Sequence, residues 1–296
     1  MRIVAAAVAC LFVPFPVWAS FADDVHMLVA RGDMATADRA VQMARSKVGA
    51  NPEVAAALSW LARGALAARQ LDRADAYAAD TQKMALPLLG MRRLDADPWL
   101  PVALGAAVEV HASVLAARGE IPEALAYLRE QLKTWNGTSL QERISKNINL
   151  LSLEGKPAPA LEGVSLSSLR GHAVLLFFWA HWCPDCKQEY AILTEIEKEY
   201  AARHLAIVAP TQRYGYVAKG EEAGPAVELK YIDEVRHKFY PELLDMPAPV
   251  SEENFKNYGA STTPTLVLID RQGIVRLYHP GAMTLEELRA ALNRLG

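Results

Sequence analysis

The stretch Phe177-Phe178-Trp179-Ala180-His181-Trp182-Cys183-Pro184-Asp185-Cys186 joins two kinds of pattern. Ala173 to Trp179 is a continuous apolar run, as expected of a strand buried on both faces. Pro184 to Arg203 carries helical spacing. Proline suits the first turn of a helix, because the N–H it lacks would be unpaired there anyway. Cys183 therefore falls where a buried strand gives way to a helix. Unpaired N–H groups and the positive end of the helix dipole meet at such a point. Both stabilise a thiolate, so the thiol pKa falls and the sulfur becomes nucleophilic near neutral pH. Cys186 follows one turn later, close enough to close a disulfide and expel a mixed-disulfide partner.

The cysteine count narrows the chemistry. The chain of 296 residues has three cysteines, Cys10, Cys183 and Cys186. Cys10 lies in an N-terminal segment that reads as an export signal, so the mature chain would hold one pair. So small a ring constrains an unfolded chain little, which excludes a disulfide-stapled fold. One pair also falls short of the three or four N/S ligands of a zinc site. Neither metal nor organic cofactor is expected, and the pair itself is the candidate redox group.

Residues 1–19 have the layout of a secretory signal: Arg2, an apolar run from Ile3 to Trp18, and small residues around Ala19 and Ala22. Cleavage is expected after Ala19 or Ala22, which makes the protein exported, to the periplasm or another extracytoplasmic site. Pro14 and Pro16 break the run, and a membrane helix needs roughly 20 apolar residues. Membrane contact is expected only if this segment is kept as an anchor, since no other apolar run reads as long enough to span. The formal net charge of −3, with 22% charged residues, leaves no footprint for nucleic acid or an anionic membrane.

The remainder divides by texture into residues 20–152 and 153–296. The first part is rich in Ala, Leu, Arg and Asp at helical spacing. One pattern recurs three times: Gly32-x-Met34-x-x-Ala37-x-x-Ala40, Arg69-x-Leu71-x-x-Ala74-x-x-Tyr77 and Gly119-x-Ile121-x-x-Ala124-x-x-Tyr127. Small residues at these places let paired helices approach closely. The spacing resembles the turn and second helix of tetratricopeptide repeats, with longer and unequal intervals than their period of about 34. An all-α, tetratricopeptide-like domain is expected, and such stacks present concave surfaces on which a protein partner can bind. Gly155-Lys156-Pro157-Ala158-Pro159 then ends helical structure. Apolar runs at 205–209, 266–269 and 274–278 follow, with a turn at Arg271-Gln272-Gly273 and a capping box at Thr284 to Glu287. The order of strands and helices is that of an α/β sandwich, a mixed sheet flanked by helices.

At this point the second part resembles the thioredoxin superfamily, and within it the exported TlpA/ResA-like branch. The segment 177–186 carries the resemblance, with Gly155 to Pro159, Leu166, Leu169 and Gly171 before it. Tyr258-Gly259, Thr263-Pro264-Thr265 and Ile269-Asp270-x-x-Gly273 follow. It covers roughly residues 153–296 and implies exchange of dithiols and disulfides with exported proteins. It implies Cys183 as nucleophile and Cys186 as resolving thiol. Pro264 would be a cis-proline facing the disulfide, and Thr263 would offer backbone hydrogen bonds to a substrate chain beside Trp182. Where thioredoxin has a buried Asp before the first cysteine, this chain has Phe177. The branch instead places a Glu three residues past the second cysteine, and Glu189 stands there. One helical turn puts it on the face of Cys186, where a raised pKa would let it relay that thiol's proton.

Two features depart from the pattern, the Pro184-Asp185 dipeptide and the length of the stretch 211–251. Asp185 sets a carboxylate between the cysteines, where an anion disfavours thiolate. His181 reads as an exposed strand-end histidine, with compensating positive charge as the alternative. Residues 211–251 form an insertion, with 219–225 as loop and 228–240 as helix. The balance of charge favours a reductant over a strong oxidant. Two alternatives remain. A thiol peroxidase would need a Thr-x-x-Cys site with an Arg partner, and Ala180 stands at the Thr position. A partner-binding or assembly protein would use the repeats, with the redox site secondary.

Overall fold

The computed structural model describes residues 20–91, 93–200 and 204–295. The expected signal, residues 1–19, lies outside the described residues. The first part is a layer of seven helices: α1 (Phe21–Ala30), α2 (Met34–Val48), α3 (Pro52–Ala67), α4 (Leu71–Ala85), α5 (Leu100–Ala117), α6 (Ile121–Thr134) and α7 (Leu140–Ser152). Caps set the starts. Ser20 and Asp23 form a capping box on α1, and Asn51 accepts the Val54 N–H ahead of Pro52 on α3. The repeated alanines Ala37, Ala74 and Ala124 are fully buried. Ala74 and Ala78 of α4 pack against Ala62 and Ala65 of α3 and Val110 and Val114 of α5. Helix α5 is long and apolar enough to cross a membrane, unlike the expectation from the sequence. It is nevertheless the central helix of the layer, packed on α3, α4, α6 and α7.

One ionic knot ties this layer together. Glu109 on α5 accepts from Arg143, Lys146 and Asn147 of α7 and lies 3.6 Å from Arg63 of α3. Burial alone would raise the Glu109 carboxyl, but Arg143 and Lys146 overcome it and hold the pKa at about 2.

The second part contains β1 (Ala173–Phe178), α8 (Pro184–Tyr200), β2 (Leu205–Val208), α9 (Pro225–Phe239), α10 (Glu252–Tyr258), β3 (Thr265–Ile269), β4 (Val275–Pro280) and α11 (Leu285–Asn293). The sheet order is β2-β1-β3-β4, with β1 parallel to β2 and antiparallel to β3. The apolar run of β1 follows from its central place, since alternate side chains enter different cores. Leu175 and Phe177 join one core with both cysteines, Leu193 of α8, Ile232 of α9 and Leu288 of α11. Val174, Leu176 and Phe178 join the other with Leu153, Leu161, Phe255 and Tyr258. Helix α9 begins a turn before the expected Glu228, because Gly224-Pro225 supplies a ready N-terminus.

The two parts touch along α7. The Asn149 side chain donates to the Tyr258 carbonyl at 2.8 Å. Gly259 ends α10 in the left-handed region, φ 59°, and a Cβ there would sit 2.4 Å from the Lys146 backbone nitrogen. Past α7, residues 155–158 run along β4, with Gly155 N–H donating to Val275 and Ala158 N–H to Gly273.

Candidate active site

Strand β1 ends one residue before Trp179, and two bonds fix its exit. The Trp179 indole donates to the Ala209 carbonyl at 3.0 Å, and Thr211 Oγ1 donates to the Trp179 carbonyl at 2.8 Å. The chain then turns through 180–183 into α8. Cys183 and Cys186 are joined by a disulfide with an S–S length of 2.07 Å and a Cα separation of 5.4 Å. The Cys186 backbone N–H donates to Cys183 Sγ at 3.0 Å. This is one of the orphan N–H groups of the first helical turn, directed at the sulfur expected to act as nucleophile. The two cysteines are 1% and 0% exposed, whereas Trp182 beside them is 45% exposed.

The pairing of Phe178 with Thr265 brings the start of β3 to the same end of the sheet as the cysteine loop. The Thr263–Pro264 peptide bond is cis. Thr263 and Trp182 line one pocket.

Glu189 is 1% exposed, one turn beyond Cys186 on α8. Both its oxygens accept from the Met283 N–H, at 3.3 and 3.4 Å. Burial pushes its carboxyl up to about 7, and the Met283 bond only partly opposes this. A carboxyl in that range both takes and returns a proton near neutral pH. Asp185, by contrast, is exposed, so water screens its charge.

His181 overturns the expectation of an exposed histidine. It is 1% exposed, and its Nε2 lies 3.3 Å from Glu228 Oε1. Burial lowers its pKa despite Glu228, so the ring is neutral at pH 7 and supplies no compensating charge. The rings of Tyr214, Tyr216 and Tyr231 surround it edge-on. Glu228 also accepts the Tyr214 and Gly215 backbone N–H groups. A buried carboxylate thus pins the insertion to the cysteine loop, and the sequence reading missed both it and Tyr214. The available signal was the clustering of three tyrosines, Tyr214, Tyr216 and Tyr231, around the start of the helix read from Glu228. Among the described residues, no group of three or more His, Cys, Asp or Glu side chains gathers as a metal site would require.

Comparison with known proteins agrees with this geometry. Residues 165–296 match the model of a thioredoxin-like domain. The thioredoxin-like protein YneN of Bacillus subtilis strain 168 is 30% identical over 147 residues, covering 47% of this chain and 79% of YneN. The chain belongs to the thioredoxin-like family. Within that family it is similar to the thiol-disulfide oxidoreductase ResA of Bacillus thuringiensis strain Al Hakam. Identity to ResA is 28% over 149 residues, covering 50% of this chain and 75% of ResA. It is also similar to the thiol:disulfide interchange protein DsbE of Xylella fastidiosa strain Temecula1. There identity is 25% over 170 residues, covering 54% of this chain and 74% of DsbE. The mixed four-stranded sheet flanked by helices is the thioredoxin-like fold, here preceded by an all-helical region.

Proposed function

We propose that this thioredoxin-like protein is a thiol–disulfide oxidoreductase that reduces or isomerises disulfides of exported proteins. The observation that carries the reading is the Cys183–Cys186 pair at the start of α8, with Cys183 Sγ on a helix N–H and Glu189 buried one turn on. In the reduced protein, the Cys183 thiolate attacks one sulfur of a client disulfide. A mixed disulfide forms and the other client sulfur leaves as thiolate. Cys186 passes its proton to Glu189 and attacks Cys183 Sγ. The Cys183–Cys186 disulfide closes and the client sulfur departs, so two electrons have moved to the client. Both client sulfurs end as thiols, one taking its proton from Glu189 and the other from solvent. Trp182, Thr263 and Pro264 serve as the surface on which the client chain lies.

The direction of electron flow rests on charge. A strong oxidant is oxidising because its reduced, thiolate form is unusually stable. A buried carboxyl beside Cys186 works against a second negative charge in the same low-dielectric space, and His181 gives no cation to offset it. A potential nearer −270 mV than −120 mV is expected, on the order of thioredoxin rather than DsbA. Equilibration with glutathione buffers measures it, and a value above about −160 mV would make the protein a disulfide donor instead. Cys186→Ser should trap clients on Cys183 as mixed disulfides while Cys183→Ser should not. Trapping by the second variant alone would reverse the roles.

Three further points belong to this reading. Export is supported by the signal-like residues 1–19, and Ser20 is the favoured first residue of the mature chain because it caps α1. Cleavage after Ala22 would remove that cap and a buried alanine. The chain is best treated as two units meeting near residue 153, with the helical unit a stack of tetratricopeptide-like hairpins. That stack supports a second role in holding a protein partner.

A further inference from the structure

Glu142 and Arg143 of the helical layer line a pocket of about 290 Å³ together with Trp182, Tyr214, Ser261 and Thr263. The start of α7, outside the matched thioredoxin-like residues 165–296, therefore lines the same pocket as the proposed client surface. Two of the lining residues carry a hydroxyl, Ser261 and Thr263, but both oxygens are closed off from solvent and so lie out of a bound chain's reach.

The charges on the two walls differ in commitment. Arg143 reaches the pocket, but its guanidinium is spent on Glu109 and on the Pro101 carbonyl. It lies over Gly105, where a Cβ would come within 2.2 Å of Nη1, so only a glycine there leaves room for it. Glu142 has neither hydrogen bond nor ion pair among the described residues and is half-buried. Lys256 and Glu252 act on it electrostatically with opposite signs, and it acts in turn on Tyr214. A half-buried carboxylate with no hydrogen-bond partner among the described residues favours a cation that also donates hydrogen bonds.

We propose that α7 is a specificity wall, with Glu142 receiving a lysine or arginine side chain that flanks the reactive cysteine of the client polypeptide. This rests on the redox reading above, because it takes the client to lie on Trp182 and Thr263. The helical layer then selects which disulfide is presented as well as carrying any partner of its own.

The test uses the reduced full-length mature protein and synthetic peptides carrying one cysteine as a mixed disulfide with glutathione. The two positions on either side of the cysteine hold Lys, Ala or Glu in turn, and the second-order exchange rate is measured. At one of these positions Lys should exceed Ala by about fivefold, the factor that corresponds to about 1 kcal/mol, the upper end for a solvent-accessible ion pair. Glu should be slower than Ala there, and the spread should shrink as salt is added. E142Q should remove the Lys-to-Glu ratio and E142K should invert it. If the wild type exchanges all peptides at one rate, the specificity wall is wrong while the redox reading stands. The wall is equally wrong if its preference survives in folded E142Q. If the wild type exchanges with none of them, the redox reading fails and takes this inference with it.

Discussion

Replacing Glu189 by Gln removes a charge that the folded protein has no water to solvate. The carboxyl is 1% exposed and has a single backbone donor, Met283, at 3.3–3.4 Å. Its pKa stands at about 7 in the folded state against an ordinary 4.5. Between those values the folded protein holds a proton that the unfolded chain has lost. The stabilisation is therefore complete below about 4.5 and is lost as the pH rises through 7. At about 1.4 kcal/mol per factor of ten, the ionised form costs the fold about 3 kcal/mol. Glu189→Gln cannot ionise and escapes this loss. Its constant packing differences move its whole curve but not its slope. At roughly 2–4 °C per kcal/mol for a chain of this size, its melting temperature should gain on the order of 6–12 °C over wild type on going from acid to alkaline pH. Melts of both oxidised proteins, followed by near-ultraviolet circular dichroism across that range, read the difference directly. Parallel curves would mean that Glu189 ionises as an ordinary carboxylate, and its part as proton relay for Cys186 would fall with it.

Glu228→Leu should destabilise by about 3–5 kcal/mol, because two backbone N–H groups and His181 lose a buried acceptor at about 1–3 kcal/mol each. Denaturant midpoints and faster hydrogen exchange at Tyr214 and Gly215 would show this, and unchanged exchange there would deny the pinning role. Gly259→Ala should cost more than about 1 kcal/mol, since it strains a positive φ and drives a methyl into the α7 backbone; an unaltered thermal midpoint would argue against the packed contact. In the reduced protein, Glu189→Gln should change the pH profile of Cys183 alkylation more than Asp185→Ala, as water screens only the second carboxylate. The opposite order would place the controlling charge at Asp185.

The sequence carried those parts of the fold whose cause is local. The run Ala173 to Trp179 announced a central strand because both faces of β1 are covered, and the repeated alanines at 37, 74 and 124 announced close helix packing because all three are fully buried. The disulfide pair and the buried carboxyl at Glu189 were legible for the same reason, since all three lie within two turns of one helix. His181 was not. Its burial depends on Glu228, 47 positions away, reached through an insertion whose path no local pattern reports. The pocket wall at Glu142 was equally hidden, because it arises from packing α7 against residues more than a hundred positions later, around Tyr258 and Gly259.

Glu109 in the helical layer and Glu189 in the thioredoxin-like half contribute to stability in opposite directions as the pH falls. The Glu109 carboxylate, held at about 2, lends the helical layer stability that is present above 4.5 and disappears as the pH falls toward 2. Once it is protonated, Arg63, Arg143 and Lys146 face one another with no anion among them. Glu189 does the reverse in the thioredoxin-like half, where its own contribution grows as the pH falls to 4.5. The two windows therefore abut rather than overlap. Strong acid therefore removes the charge that holds α7 to α5 while Glu189, protonated, costs its own half nothing; exchange stops there too, because the attacking thiolate is protonated.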